Sequence, residues 1–409
     1  METIMGAGVI LLFTPLTMIY AVYNMVNAPS RWKKYLPYFV LAMALFAYCY
    51  NPVGEPDLER YFQQLEECGK LTLGQTIEWY HDGLIIENII FWIIGRLGLA
   101  HLLPAISTGT IYAITGYITC DIASNHSAYK KIPTILLIQI LILPFLSIVN
   151  NIRNIWAFSL IILAVYLELV KKKRNIGVLL LYILPCFLHM SAAILVVLRL
   201  LIIPAKRAKV LTIIGAATVP SLISLAYQYR NSIPIGGNLG IIIRQMIVKA
   251  NWYLYDTNST EWARAVSASG YQQMNRVVMM FIAVVLIVFA FYYMETINEN
   301  EKDFVIFVFL LCVITLACNV FTTPQYWRFS AASIIGSGVL ILKMLVDKKY
   351  LTRRCKVALY ALEGLALVAF LLQLWRARYM MDFIDFFITV IRTNIYTVIM
   401  EFIYALFTL

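Results

Sequence analysis

Four short stretches hold most of the groups in this chain that could take part in a reaction. The first, Asn51-Pro-Val-Gly-Glu-Pro-Asp-Leu-Glu-Arg-Tyr61, sets Asp57 and Arg60 three residues apart. That spacing puts them on one face of a helix starting near Pro56. A carboxylate there can accept a proton or orient a hydroxyl, or can be an ordinary acidic residue in the first turn of a surface helix. The second stretch, Asn150-Asn-Ile-Arg153-Asn154, is very polar for a tight connection between apolar runs. The planar guanidinium of Arg153 suits a phosphate, and an interfacial arginine reaching to water is the plainer reading. The third holds His189 and Ser191 between two apolar arms, where only a bundle interior or a wet cavity can host an imidazole. In the fourth, Tyr326-Trp-Arg328-Phe-Ser330, Arg328 is either a second anion ligand or an anchor at the membrane surface.

Other catalytic signatures do not occur. There is no Walker loop, HExxH, GxSxG or GxGxxG in a βαβ setting. The 7 cysteines include no CxxC, and no Cys/His cluster has zinc spacing. Neither a disulfide framework nor a metal site is therefore expected, and no cofactor is implied.

Composition decides what must position these residues. Apolar residues make up 61% and charged ones 13% of 409 residues, against about 45–50% and about 25% in soluble domains. The expectation is an all-α polytopic membrane protein, one integral domain over 1–409. Soluble enzymes, nucleic-acid modules and secreted scaffolds are excluded as wholes. The net charge of +11 mainly reports orientation, because basic residues collect in cytoplasmic loops; no nucleic-acid partner is expected.

A crossing helix needs about 20 apolar residues. Spans are expected near 7–27, 35–50, 103–121, 132–149, 155–170, 209–227, 277–294, 304–320, 329–346 and 356–375, with a shorter pair between 176 and 205. That makes about 12 transmembrane helices, or 13 if the ambiguous segment 379–409 crosses rather than lies at the interface. The run Gly8–Val26 lacks a basic leader region and is expected to stay in the mature protein. Basic clusters at Arg31–Lys34, Lys130–Lys131, Lys171–Arg174, Lys206–Lys209 and Lys348–Lys356 mark inside loops, although the acidic loop Glu295–Asp303 also falls inside by parity.

Parity then makes 51–102 an outer loop, and Glu87, Asn88 and Arg96 turn its apolar stretch 84–100 into an amphipathic helix lying on the membrane. Residues 176–205 enter and leave on the inside; their two short arms sink the apex at His189 below the outer surface. A second large outer loop, 228–276, carries Arg230, Arg244, Lys249, Arg264 and Arg276. Its Trp252, Tyr253, Tyr255, Trp262 and Tyr271 offer faces for sugar stacking or belong to the interfacial aromatic belt. Outer-face arginines, a sunk histidine and a carboxylate suit an anionic, diphosphate lipid-linked substrate approached from outside.

These pieces resemble a known family. Asp57-Leu-Glu-Arg-Tyr61 resembles the Asp-x-x-x-Tyr region of the EpsG family of exopolysaccharide polymerases, which are Wzy-like. Residues 151–160 are similar to its Ile-Arg-x-x-x-Ala-x-Ser-Leu element, and 187–191 to its Phe-His-x-Ser, here with Leu188 inserted. Residues 326–330 are similar to its late Arg-Phe element. The resemblance implies a GT-C-like membrane glycosyltransferase of the cytoplasmic membrane with its active site facing the periplasm or cell exterior. It would transfer a glycan from undecaprenyl diphosphate to the non-reducing end of a lipid-linked repeat unit. Donor and acceptor lipids, membrane lipid, a chain-length regulator and a flippase are the partners this implies. On this reading Arg153 and Arg328, with Arg60, hold the diphosphate without a metal, and Asp57 or His189 takes the acceptor proton. Tyr61, Glu87, Asn154, Ser191, Arg244, Trp252, Arg264 and Tyr326 line the substrate. A glycan ligase or other GT-C-like transferase fits the same residues; a lipid-linked oligosaccharide flippase fits less well, because the informative charges gather near one face.

Overall fold

The computed structural model describes residues 10–54, 56–80, 84–206, 209–232, 234, 236–237, 240, 243–244, 247–248, 269–293, 299–321, 326–346 and 353–408. Among them the regular elements are all helices, the arrangement in which an apolar chain satisfies its backbone within each segment. In chain order the α-helices are α1 (Thr14–Asn27), α2 (Trp32–Tyr48), α3 (Pro56–Lys70), α4 (Leu73–Tyr80), α5 (Ile85–Leu97), α6 (Leu102–Asn125), α7 (Ile132–Ile142), α8 (Phe145–Asn150) and α9 (Ile152–Leu169). They continue as α10 (Ile176–Leu188), α11 (Ala192–Ala205), α12 (Lys209–Gln228), α13 (Gly270–Tyr293), α14 (Glu299–Phe321), α15 (Tyr326–Gly336), α16 (Gly338–Val346), α17 (Arg353–Met380), α18 (Phe383–Arg392) and α19 (Ile395–Thr408). The chain forms two compact units, one of residues 1–80, 85–156 and 373–409, the other of residues 81–84 and 157–372.

In the first unit α2 packs along both α1 and α6. Gly109 of α6 faces Ala44 and Gly116 faces Leu36, so the two backbones run close together, the packing that small residues permit in membrane helices. Side-chain hydrogen bonds tie α6 to both α2 and α7: Trp32 Nε1 donates to Ser124 Oγ at 2.8 Å, and Thr119 Oγ1 to Gln139 Oε1 at 2.8 Å. Helices α3 and α5 cross backbone to backbone at Gly69 and Gly95. Gly98, in the left-handed region at φ +65°, then terminates α5, a conformation that favours glycine. A core of Tyr50, Leu58, Tyr61, Leu65, Phe91, Ile94, Val149 and Ile152 fills the space between α3, α5 and α8.

The second unit is organised around α14. Its Phe304, Phe307, Val308, Leu311 and Cys312 are fully buried, as expected of a helix apolar on every side. Helices α11, α12, α13 and α15 pack on it, and Phe304 meets the ring of Tyr166 at 5.4 Å. The expected hairpin of 176–205 is present as α10 and α11, 13 and 14 residues long, or about 20 Å per arm.

Among the described residues three helices are long and apolar enough to cross a membrane, 152–169, 270–291 and 356–380, and the number is five if each of two bent pairs counts as one span. The bent pairs fall within two of the apolar runs of the sequence. The run 329–346 breaks at Ser337 with a 49° bend, where the serine hydroxyl and amide both bond the carbonyl of Ile334. In the tail 379–409, α18 and α19 meet at 81°. Asp382 caps α18 by accepting from the amides of Ile384 and Asp385. A third break interrupts 132–149, where Pro144 separates α7 from α8 because proline has no amide to continue the ladder.

Candidate functional site

The polar turn after α8 leads directly into α9. Asn150 ends α8, Ile152 begins α9, and Arg153 stands in the first turn of the new helix. Arg153 reaches the hydroxyl of Tyr61 on α3 through Nε at 3.0 Å, and its Nη1 pairs with Oε1 of Glu87 on α5. Its guanidinium carbon also lies 4.6 Å from the centroid of the Tyr61 ring, within cation–π range. The Arg60 guanidinium carbon is 5.5 Å from that same centroid, and Arg60 Nη2 bonds Asp57 Oδ1 at 2.9 Å. One buried tyrosine thus collects two arginines, each joined to a carboxylate from a different helix.

Burial separates the two ion pairs. The side chains of Arg153 and Glu87 are 14% and 5% exposed, whereas those of Arg60 and Asp57 are 53% and 36% exposed. The first pair is held in a dry setting where the removal of either charge is costly; the second faces the surroundings and is worth little by itself. Phe91 packs edge-on to Tyr61 at 6.0 Å. Asn154 is 4% exposed, and its Oδ1 has no hydrogen-bond partner among the described residues. Behind the turn Asn150 Nδ2 donates to the hydroxyl of Tyr50 at 3.1 Å, and that hydroxyl donates to the Met380 carbonyl at 3.1 Å.

Helix α5 buries Glu87 and Asn88 with Phe91 and Ile94, and leaves Arg96, Ile85 and Ile93 exposed.

Asp57, Arg60, Tyr61, Glu87, Arg153 and Asn154 belong to the first unit. The second unit holds His189, Ser191, Arg244, Tyr326 and Arg328. His189 is 2% exposed at the apex between α10 and α11, with Nδ1 2.6 Å from Ser191 Oγ and 3.3 Å from the Ser191 amide nitrogen. Arg328 and Arg244 are half-buried. Tyr326 opens α15, but its side chain, like the whole of Trp252 and Arg264, lies outside the described residues. Tyr271 is buried at the start of α13.

Sequence reasoning missed one further polar cluster. Glu168 of α9 accepts from Arg199 Nε at 2.9 Å, from Arg199 Nη2 at 2.5 Å and from the Tyr182 hydroxyl at 2.7 Å. Opposite charges inside two neighbouring apolar runs were the available signal. Among the described residues no group of three or more His, Cys, Asp or Glu side chains is placed to hold a metal ion.

Compared with known proteins, the chain matches no family model, no curated protein and no solved structure.

Proposed function

We propose that the protein is a polysaccharide polymerase of the lipid-linked pathway, a GT-C-like membrane glycosyltransferase with about 12 spans. It would lie in the cytoplasmic membrane with its site on the outer side. The observation that carries this reading is the pairing of Arg60 and Arg153 on Tyr61, with Asp57 and Glu87 attached. Two guanidinium groups at one ring suit the two phosphates of a polyprenyl diphosphate, and they offset the negative charge that grows as the diphosphate leaves. The clamp is therefore read as Arg60 with Arg153. Glu87 holds Arg153 in place until substrate competes for it. Asp57, the more exposed carboxylate, takes the proton of the acceptor hydroxyl, or His189 does so with Ser191 fixing its ring. The resemblance of 57–61, 151–160, 187–191 and 326–330 to the EpsG family supports the same assignment.

The test is the purified protein in detergent with a synthetic lipid-diphosphate repeat unit. A ladder of products, lost in Arg153→Ala and in either Asp57→Asn or His189→Ala, is the expected result. A ladder unchanged in both Arg153→Ala and Arg60→Ala overturns the clamp. Lipid binding without any ladder moves the reading to a ligase or a flippase.

A further inference from the structure

His189 and Ser191 form the turn between α10 and α11, and their hydrogen bonds fix which imidazole nitrogen holds the proton. Helix α10 ends at Leu188; the His189 amide donates to the Pro185 carbonyl at 2.9 Å, and the His189 backbone is extended. Ser191 stands at the N-cap of α11, yet its hydroxyl makes no capping bond to that helix. The first amides of a helix have no acceptor within it, and this turn is buried, with His189 2% exposed. The Ser191 amide meets that need by donating to His189 Nδ1 at 3.3 Å, and the Ser191 hydroxyl oxygen lies 2.6 Å from the same nitrogen. A side-chain acceptor two residues ahead of a donating amide is the arrangement that aspartate and asparagine adopt in turns. Here the imidazole supplies it.

The amide decides the tautomer where the hydroxyl cannot. A hydroxyl rotates to donate or to accept, whereas a main-chain N–H only donates. Nδ1 is then the bare nitrogen, and the neutral ring has its proton on Nε2. The Ser191 hydroxyl, facing the same lone pair, donates as well. A proton on Nδ1 would set two N–H groups against each other at 3.3 Å, and in a site almost closed to solvent that conflict is not screened.

We propose that this turn locks His189 as the tautomer protonated on Nε2, so that it serves the reaction as a hydrogen-bond donor to a substrate oxygen and leaves the base to Asp57. The role in the reaction rests on the glycosyl-transfer reading; the tautomer rests on the turn alone. A base needs a lone pair within reach of the proton it takes. The Nδ1 lone pair is occupied by Ser191, and a protonated Nε2 has none to give. The same geometry removes Ser191 as a nucleophile activated by His189, because its proton would have to pass to Nδ1 against the Ser191 amide. Ser191 is a positioning residue, and it acts through its main chain more than through its hydroxyl.

The test begins with the full chain in detergent, its histidines isotope-labelled at both ring nitrogens and recorded by NMR at neutral pH. The His189 signal is the one missing in His189→Asn or, if that variant fails gel filtration, the one left when His81, His101 and His126 are replaced one at a time. The expected pattern is a proton on Nε2 and a bare Nδ1, unchanged in Ser191→Ala, which keeps the amide. A proton on Nδ1, a proton on both nitrogens, or a change of tautomer in Ser191→Ala overturns the lock. The wild-type pattern decides this without any variant of Ser191. In the assay with the synthetic lipid-diphosphate repeat unit, His189→Gln, whose side-chain amide still donates, is expected to extend the ladder about fivefold faster than His189→Leu. Equal rates in the two variants overturn the donor role. The locked pattern in a protein that makes no ladder would sink the polymerase reading, and the substrate oxygen with it, while the tautomer stands.

Discussion

A Cβ placed on Gly95 would collide with the carbonyl oxygen of Leu65. Backbone is all that faces the glycine at this crossing, and backbone does not swing aside as a side-chain tip would. Gly95→Ala is therefore expected to push α3 and α5 apart at a cost of about 1–3 kcal/mol. Because Tyr61 and Glu87 stand on those helices, the same change lowers the activity of any folded protein. Gly74→Ala, with open space at its Cβ position, serves as the control. Thermal unfolding in detergent and the product ladder, measured side by side, check both parts; a Gly95→Ala protein as stable as the control would contradict the close crossing.

Arg153 and Glu87 are expected to respond unequally to substitution. Arg153→Ala strands a buried carboxylate and costs about 3–5 kcal/mol. Glu87→Gln keeps the shape and removes the charge that competes with an anion, so it should tighten binding of a lipid diphosphate while loosening the fold. Binding titrations of both variants decide the matter: weaker binding in Glu87→Gln would show that the carboxylate contacts substrate rather than restraining the arginine.

Tyr61 has two separable roles. Tyr61→Phe removes the hydroxyl that meets Arg153 at 3.0 Å, a loss of about 0.5–1.5 kcal/mol, but keeps the ring beneath both arginines. Tyr61→Leu removes the ring as well and forfeits the cation–π contacts, each about 0.5–2 kcal/mol. The expected order of KM for the lipid donor is wild type, then Phe, then Leu. Equal values for the two variants would show that the ring does not position the guanidinium groups.

His101 precedes α6 and packs against the rings of Phe62 and Tyr48 at 5.0 and 5.8 Å. Burial holds its imidazole below the ordinary value of 6.5, despite opposing effects of the Tyr48 backbone and the Glu401 carboxylate. The unfolded chain therefore binds the proton more readily than the folded one. Its contribution to stability is complete above pH 6.5 and is lost as the pH falls from there toward the lower folded value. Melting curves from pH 7.5 to 5 should show a decline that is shallower in His101→Phe, which keeps the ring contacts; identical slopes would remove His101 from the account.

Charge pattern and length made much of this organisation legible. The hairpin at 176–205 follows from basic residues on both sides of a run too short for two full crossings, and the Arg153 turn follows from its polarity. Asp57, Arg60 and Tyr61 stand one helical turn apart, so local spacing already put them together. The burial of Glu87 was not legible, because an amphipathic pattern states that one side differs from the other, not which side meets protein. The Glu168–Arg199 pair joins residues 31 positions apart, and only tertiary packing selects that partner. The breaks at Pro144 and Ser337 fall within uniformly apolar runs, where hydropathy does not register the course of the backbone.

The break at Pro144 leads to one more consequence. The chain turns after Leu143, and the buried Leu143 carbonyl, released from the helix ladder, takes a hydrogen bond from the Tyr112 hydroxyl of α6 at 3.0 Å. In apolar surroundings that carbonyl has no water to fall back on. Tyrosine and proline are therefore epistatic: the phenol has this role only because the proline interrupts the ladder. Across any lineage of this sequence the two positions should change together, and a phenylalanine at 112 should be tolerated chiefly where 144 has ceased to be proline.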